Sequence, residues 1–104
     1  MAKVKLEIWM RLAKELGNDF LSPSDMCSIR QEEVKDGLTV RDFFDDLAKR
    51  YEPIRKKIFG SEKNAFYPDV VVTLNDRVIS PPELFGRVLK DGDKITVVPM
   101  FAGG

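Results

Sequence analysis

A single stripe of apolar side chains narrows the possible folds more than any other feature. Val40, Phe43, Phe44, Leu47, Ala48 and Tyr51 fall at i, i+3, i+4, i+7, i+8 and i+11, which is one face of an α-helix. Thr39 precedes the stripe as an N-cap, with Asp42 three residues on, and Lys49 and Arg50 near the end suit the helix dipole. Pro53 interrupts the helix or opens a short second one through Phe59. One amphipathic helix has one stripe to bury, so it needs an apolar sheet face opposite it. The stripe is core, not a cofactor box.

The rest of the chain supplies that sheet. Val4, Leu6, Ile8, Met10 and Leu12 share one parity against Lys3, Lys5, Glu7, Trp9 and Arg11, the alternation of a half-buried strand. Trp9 falls on its polar face, either covered by a loop or open to a partner. Gly17 to Asp25 reads as a loop, and Ile29 to Lys35 as a second strand of poor alternation, ended by a turn at Asp36-Gly37. Gly60 to Pro68 is a polar and aromatic connector, with Phe66 and Tyr67 at the core edge. Val70 to Leu74 is a β-branched run expected to be a strand buried on both faces. Asn75-Asp76 turns the chain and Arg77 to Ile79 returns it; Pro81-Pro82 blocks regular structure, and Glu83 to Val88 has room for one helical turn. Asp91-Gly92 is a tight turn into a last strand, Lys94 to Val98, closed by Pro99. The order predicts a two-layer α+β domain over residues 1–99 and a flexible tail over residues 100–104.

Composition excludes several functions. The 104 residues suit one domain and carry 17 Lys+Arg against 17 Asp+Glu, so the balanced charge offers no electrostatic case for nucleic acid. Histidine is absent from the sequence, which removes imidazole catalysis and His-ligated metal. Cys27 is the one cysteine, too few for an intrachain disulfide or a thiolate zinc site, and it suits a reducing, cytoplasmic setting. It is either an incidental thiol or one that passes sulfur. No apolar run approaches the roughly 20 residues that span a bilayer, and the charged N-terminal stretch is not a signal peptide, so no membrane association is expected. Arg55, Lys56, Lys57 and Lys63, with Lys49 and Arg50 nearby, form a basic cluster that is either a solvated face or a dock for an acidic partner. Asp42, Asp45 and Asp46 lack a second acidic motif, and no metal site is expected.

The chemistry lies at the end of the chain. After Pro99 come Met100, Phe101, Ala102, Gly103 and Gly104. Such a tail is either inert or reactive. Five extended residues reach about 17 Å, and glycine, lacking a Cβ, fits a channel too narrow for other residues. A carboxylate is a poor electrophile and needs activation, for example as a mixed anhydride with AMP. The chain has no GxxxxGK[ST] loop, so the ATP must be held by a partner.

Four stretches resemble the ubiquitin-like sulfur carrier family, most of all the small subunit of molybdopterin synthase. Val4 to Gly17 (VKLEIWMRLAKELG) looks like the family's first strand and its exit. Thr39 to Leu47 (TVRDFFDDL) looks like its helix start. Val72 to Val78 (VTLNDRV) is similar to V-x-V-N-G-R-x-V, with Asn75-Asp76 for Asn-Gly. Leu89 to Gly104 (LKDGDKITVVPMFAGG) resembles the L-x-D-G-D-x-V-x-x-x-P-P-x-x-G-G ending, with Met100-Phe101 in place of the common Pro-Val. The resemblance implies a β-grasp fold, a mixed sheet of four to five strands on one main helix. It implies that Gly104 is adenylated by a ubiquitin-activating-type adenylyltransferase and becomes a thiocarboxylate. The tail would then thread through Ala102 and Gly103 into the molybdopterin synthase large subunit. Sulfur would pass to molybdopterin, the small subunit not being catalytic alone and binding no cofactor itself. The expected partner-binding residues are Trp9, Pro99, Met100 and Phe101. The same activated end also fits a ubiquitin-like protein modifier, or a sulfur carrier for thiamine or another pathway.

Overall fold

The computed structural model describes residues 1–60 and 65–100. Its elements are β1 (Ala2–Ile8), α1 (Ala13–Leu16), a 3₁₀ turn (Gly17–Asp19), β2 (Leu21–Ser24), β3 (Cys27–Val34), α2 (Val40–Arg50), α3 (Glu52–Lys57), β4 (Phe59–Gly60), β5 (Ala65–Phe66), β6 (Val70–Leu74), β7 (Arg77–Val78), α4 (Pro81–Phe85) and β8 (Lys94–Pro99).

The main sheet runs β2-β3-β1-β8-β6-β7. It is mixed as expected: β1 and β8 are parallel neighbours, with Leu6 opposite Ile95 and Ile8 opposite Val97, and the other pairs are antiparallel. The two short edge strands bring it to six. Helix α2 covers one face. It buries Val40, Phe43, Phe44, Leu47 and Ala48 against Val4, Leu6, Ile8, Val72, Ile95 and Val97. Thr39 caps it as the sequence predicts, its hydroxyl accepting the Asp42 N–H at 3.2 Å. Pro53 stands near the start of α3 rather than only breaking α2.

Three expectations change and one, the poor alternation of β3, gains its reason. The segment read as a loop between Gly17 and Asp25 contains β2, an exposed edge strand that holds Pro23 and pairs irregularly with β3. Its polar composition is that of a sheet edge, where proline is tolerated. Second, β3 alternates poorly because its inward set is polar. Ser28, Arg30 and Glu32 oppose Ile8, Leu6 and Val4. Glu32 is nearly buried, and its carboxylate accepts from Arg30 Nε at 3.0 Å and from Arg50. Arg30 also donates to the Asp19 carbonyl at 2.8 Å. Third, β6 is buried on one face only: Val70, Val72 and Leu74 are buried, Val71 and Thr73 half-exposed. Fourth, Pro81 and Pro82 do not block structure; they open α4, where the missing N–H groups cost nothing. Helix α1, between the first strand and the 3₁₀ turn, was not anticipated.

Candidate functional site

The end of the chain is carried by β8, one of the two central strands, held by β1 on one side and β6 on the other. The turn before it is tightly tied. Gly92 has φ +89°, a conformation that favours glycine, and its N–H donates to the Lys3 carbonyl at 2.9 Å. Asp91 Oδ1 accepts the Lys3 N–H at 2.8 Å, and Asp93 Oδ2 accepts the Lys90 N–H at 2.8 Å. Asn75, in the turn after β6, reaches across the sheet. Its Nδ2 donates to Asp93 Oδ1 at 2.9 Å and its Oδ1 accepts the Lys94 N–H at 2.8 Å. The start of β8 is thus fixed to the start of β1 on one side and to the turn after β6 on the other.

At the other end, hydrogen-bonded pairs alternate along β6 and β8. The Asn75 N–H donates to the Lys94 carbonyl and the Met100 N–H to the Asp69 carbonyl, each at 2.8 Å. Val70 and Pro99 therefore face each other at a non-hydrogen-bonded position. The missing N–H of Pro99 breaks nothing there, and β8 includes Pro99 rather than stopping before it.

Trp9 and Met100 are exposed apolar side chains near this end, at 44% and 57% exposure, and no loop covers Trp9 among the described residues. Trp9 follows the Ile8–Val97 pair, and its backbone N–H donates to the Val97 carbonyl at 2.8 Å. Its indole Nε1 donates to Glu7 Oε1 at 3.2 Å. Since Ile8 and Val97 point to the core, alternation puts Trp9 on the uncovered face of the sheet. That face also holds Val71 opposite Val98, Thr73 opposite Val78, and Ile29 opposite Leu21. Val78 and Leu21 are well exposed. Sequence reading missed this row, because a β-branched run looks the same whether one face or both are covered. Phe101, Ala102, Gly103 and Gly104, the other predicted site residues, lie outside the described residues, as does Lys63.

The remaining candidates resolve into structure. Cys27 opens β3 and is buried. Burial, then the Glu7 carboxylate, push its thiol above the ordinary value, which suppresses the reactive thiolate. The basic cluster is a solvated, ion-paired face. Lys49 pairs with Asp45 at 3.1 Å, Arg50 with Asp46 at 2.9 Å and Lys56 with Glu52 at 2.6 Å. Among the described residues no group of acidic or thiol side chains has the grouping to hold a metal ion, and no helix is long and apolar enough to cross a membrane.

Comparison with known proteins gives the frame. The model of the ThiS family matches residues 25–104. A Pyrococcus furiosus protein named for subunit 1 of molybdopterin converting factor superposes with TM-score 0.66 at 27% identity, covering 97% of this chain and 100% of its own. Small archaeal modifier protein 1 of Methanosarcina acetivorans superposes at 0.65 and 25% identity, covering 100% and 98%. A chain of the Amycolatopsis orientalis BexX/CysO complex does so at 0.65 and 26%, covering 97% and 99%. No match was found among curated proteins. The architecture is that of the β-grasp, as the sequence resemblance implied.

Proposed function

The chain belongs to the ThiS family of ubiquitin-like sulfur carriers, and from that premise we propose that Gly104 is its reactive residue. Its carboxylate attacks the α-phosphorus of ATP held by a ubiquitin-activating-type partner, releasing pyrophosphate. Hydrosulfide supplied by the partner side then attacks the acyl carbon, displaces AMP with loss of one proton, and leaves a thiocarboxylate. Unlike the carboxylate, that group is a strong nucleophile at neutral pH. We further propose that the acceptor is the molybdopterin precursor, with this chain as the small subunit of molybdopterin synthase and the large subunit supplying the catalytic pocket.

The observation that carries the reading is that the family match runs through Gly103-Gly104, on a body that brings a central strand out beside an apolar sheet face. No Lys, Cys, Asp or Glu follows Lys94, so nothing on the tail competes with its carboxyl group. Trp9, Pro99, Met100 and Phe101 are the proposed contacts with partners. A carrier visits two partners in turn, so each interface should be modest in area.

The pathway test is reconstitution. Thiocarboxylated chain, a molybdopterin synthase large subunit and cyclic pyranopterin monophosphate should yield molybdopterin, and Phe101→Asp should abolish binding to the large subunit. No product, with thiocarboxylate present, would assign the sulfur to another acceptor such as the thiamine pathway. The identity of 25% to small archaeal modifier protein 1 across the whole chain favours a second reading, a protein modifier. That reading expects conjugates through lysines of other proteins that vanish when Gly104 is deleted.

A further inference from the structure

An open apolar groove of about 430 Å³ runs beside β6, walled by Phe66, Pro68, Val72, Ile79, Leu84 and Phe85 among others. Rings form its floor. Phe66 stacks on Phe85 with centroids 5.0 Å apart and stands edge-on to Phe44 of α2 at 4.9 Å, so the floor lies on the α2 side of the sheet. No Asp, Glu, Lys or Arg lines the groove, in a chain that is 33% charged.

The sheet edge above that floor is open. β7 pairs only with Thr73 and Leu74, so Val70 to Val72 have β8 on one side and, among the described residues, no strand on the other. The ladder fixes which backbone groups face outward. The Asn75 N–H and the Asp69 carbonyl both bond to β8 and its continuation, so alternation turns Val71 and Thr73 toward β8 and Val70 and Val72 toward the groove. The Val70 N–H is taken by the Tyr67 carbonyl at 3.1 Å. The Val70 carbonyl and the Val72 N–H are left, an acceptor and a donor. No lysine, proline or register shift in Val70 to Val72 guards this edge against a new strand.

We propose that this groove takes an extended apolar segment of a partner protein, added to the sheet beside β6. The segment donates to the Val70 carbonyl and accepts from the Val72 N–H. Its alternate side chains point down to the rings. They are apolar, because a charge buried on Phe66 and Phe85 would lose its water without gaining a partner. The rims set its ends. Asp69, just before β6, and Arg77, opposite Leu74 near its end, are both exposed. An apolar segment with opposite charges at its two ends complements them. This contact makes no use of Gly104 and stands apart from the sulfur chemistry.

The test is an NMR titration of the full chain with the end-blocked synthetic peptide Lys-Thr-Leu-Thr-Leu-Thr-Glu. The Val70 and Val72 amides and the Phe66 and Phe85 rings should shift and saturate with a Kd of about 1 mM or tighter. Resonances of β2 and β3 should stay unmoved, and exchange of the Val72 amide should slow. Aspartate in place of both leucines should abolish binding, and two Glu or two Lys ends should weaken it severalfold. Ile79→Asp, checked for a native circular dichroism spectrum, should weaken it tenfold or more. No shift in the groove, shifts confined to the face that holds Trp9, or undiminished binding by Ile79→Asp overturns the proposal. Groove resonances that move with protein concentration alone also overturn it, since a second copy would then be the occupant. Tighter peptide binding by a chain ending at Met100 overturns it too, since the chain's own end would then fill the groove.

Discussion

The backbone N–H of Met100 donates to the carbonyl of Asp69 at 2.8 Å, one pair beyond the Val70–Pro99 position. The sheet therefore grips the chain up to the residue before the tail. Met100 is 57% exposed, yet its amide is bonded. Its hydrogen exchange should be measurably slower than that of an open amide. Met100→Pro, which deletes the donor, should cost about 1 kcal/mol in denaturant unfolding. Free exchange at Met100 would show that the grip ends at Pro99.

The turn after β6 carries a local conflict that one substitution relieves. Asn75 and Asp76 both have positive φ, at 52° and 66°, where side chains other than glycine are disfavoured. Asp76→Gly removes that strain and loses an exposed ion pair to Lys94, 3.1 Å long, worth little. A net gain of about 0.5 kcal/mol is expected, read as a raised thermal midpoint. Asn75→Ala should move the other way by about 1–2 kcal/mol, because its side chain makes two hydrogen bonds to the turn before β8. Equal effects of the two variants would contradict this account.

Cys27 should be silent in the folded protein. At 3% exposure and with its thiol held above the ordinary value by burial, it should react with a thiol reagent only as fast as the chain opens. The sign of the pH effect follows from the same shift. The unfolded thiol ionises first, so stability is full below its ordinary value and falls as pH rises through the folded one. Cys27→Ala should flatten that part of the alkaline stability curve. Rapid labelling under native conditions would contradict the buried placement.

The uncovered sheet face predicts a second class of variant. Trp9→Ala and Val98→Asp change residues placed on the face opposite α2, so far-ultraviolet circular dichroism should stay native. Affinity for the large subunit or the activating partner should fall tenfold or more for Trp9→Ala, equivalent to about 1.4 kcal/mol. Unchanged binding to both partners in calorimetry would remove this face from the account.

Much of the fold was legible in the residues, and the failures share a cause. The α2 stripe and the Thr39 cap could be read because helix periodicity and capping are local. The first strand could be read because its Lys and Glu residues mark the face left uncovered. Leu21 to Ser24 could not, since an edge strand pairs weakly and keeps the polar, proline-bearing composition of a loop. Glu32 blurred the alternation of β3 because its ion pair with Arg50 joins residues 18 positions apart, and no local pattern reports such a partner. Val70 to Val72 looked wholly buried because residue type cannot count the layers packed on a sheet. At the site, parity put Trp9 on the polar face but did not report whether a loop covered it. The row formed by Val71, Val98 and Val78 exists only once β6, β7 and β8 are placed side by side.

The central claim, that Gly104 is the group that becomes charged with sulfur, is tested most directly by intact-mass analysis after incubation with the activating enzyme, ATP and a sulfur donor. The account predicts a product with one oxygen replaced by sulfur, located at Gly104 by fragmentation and lost when Gly104 is deleted. Sulfur found on Cys27, or an exchange that survives the deletion, would contradict it.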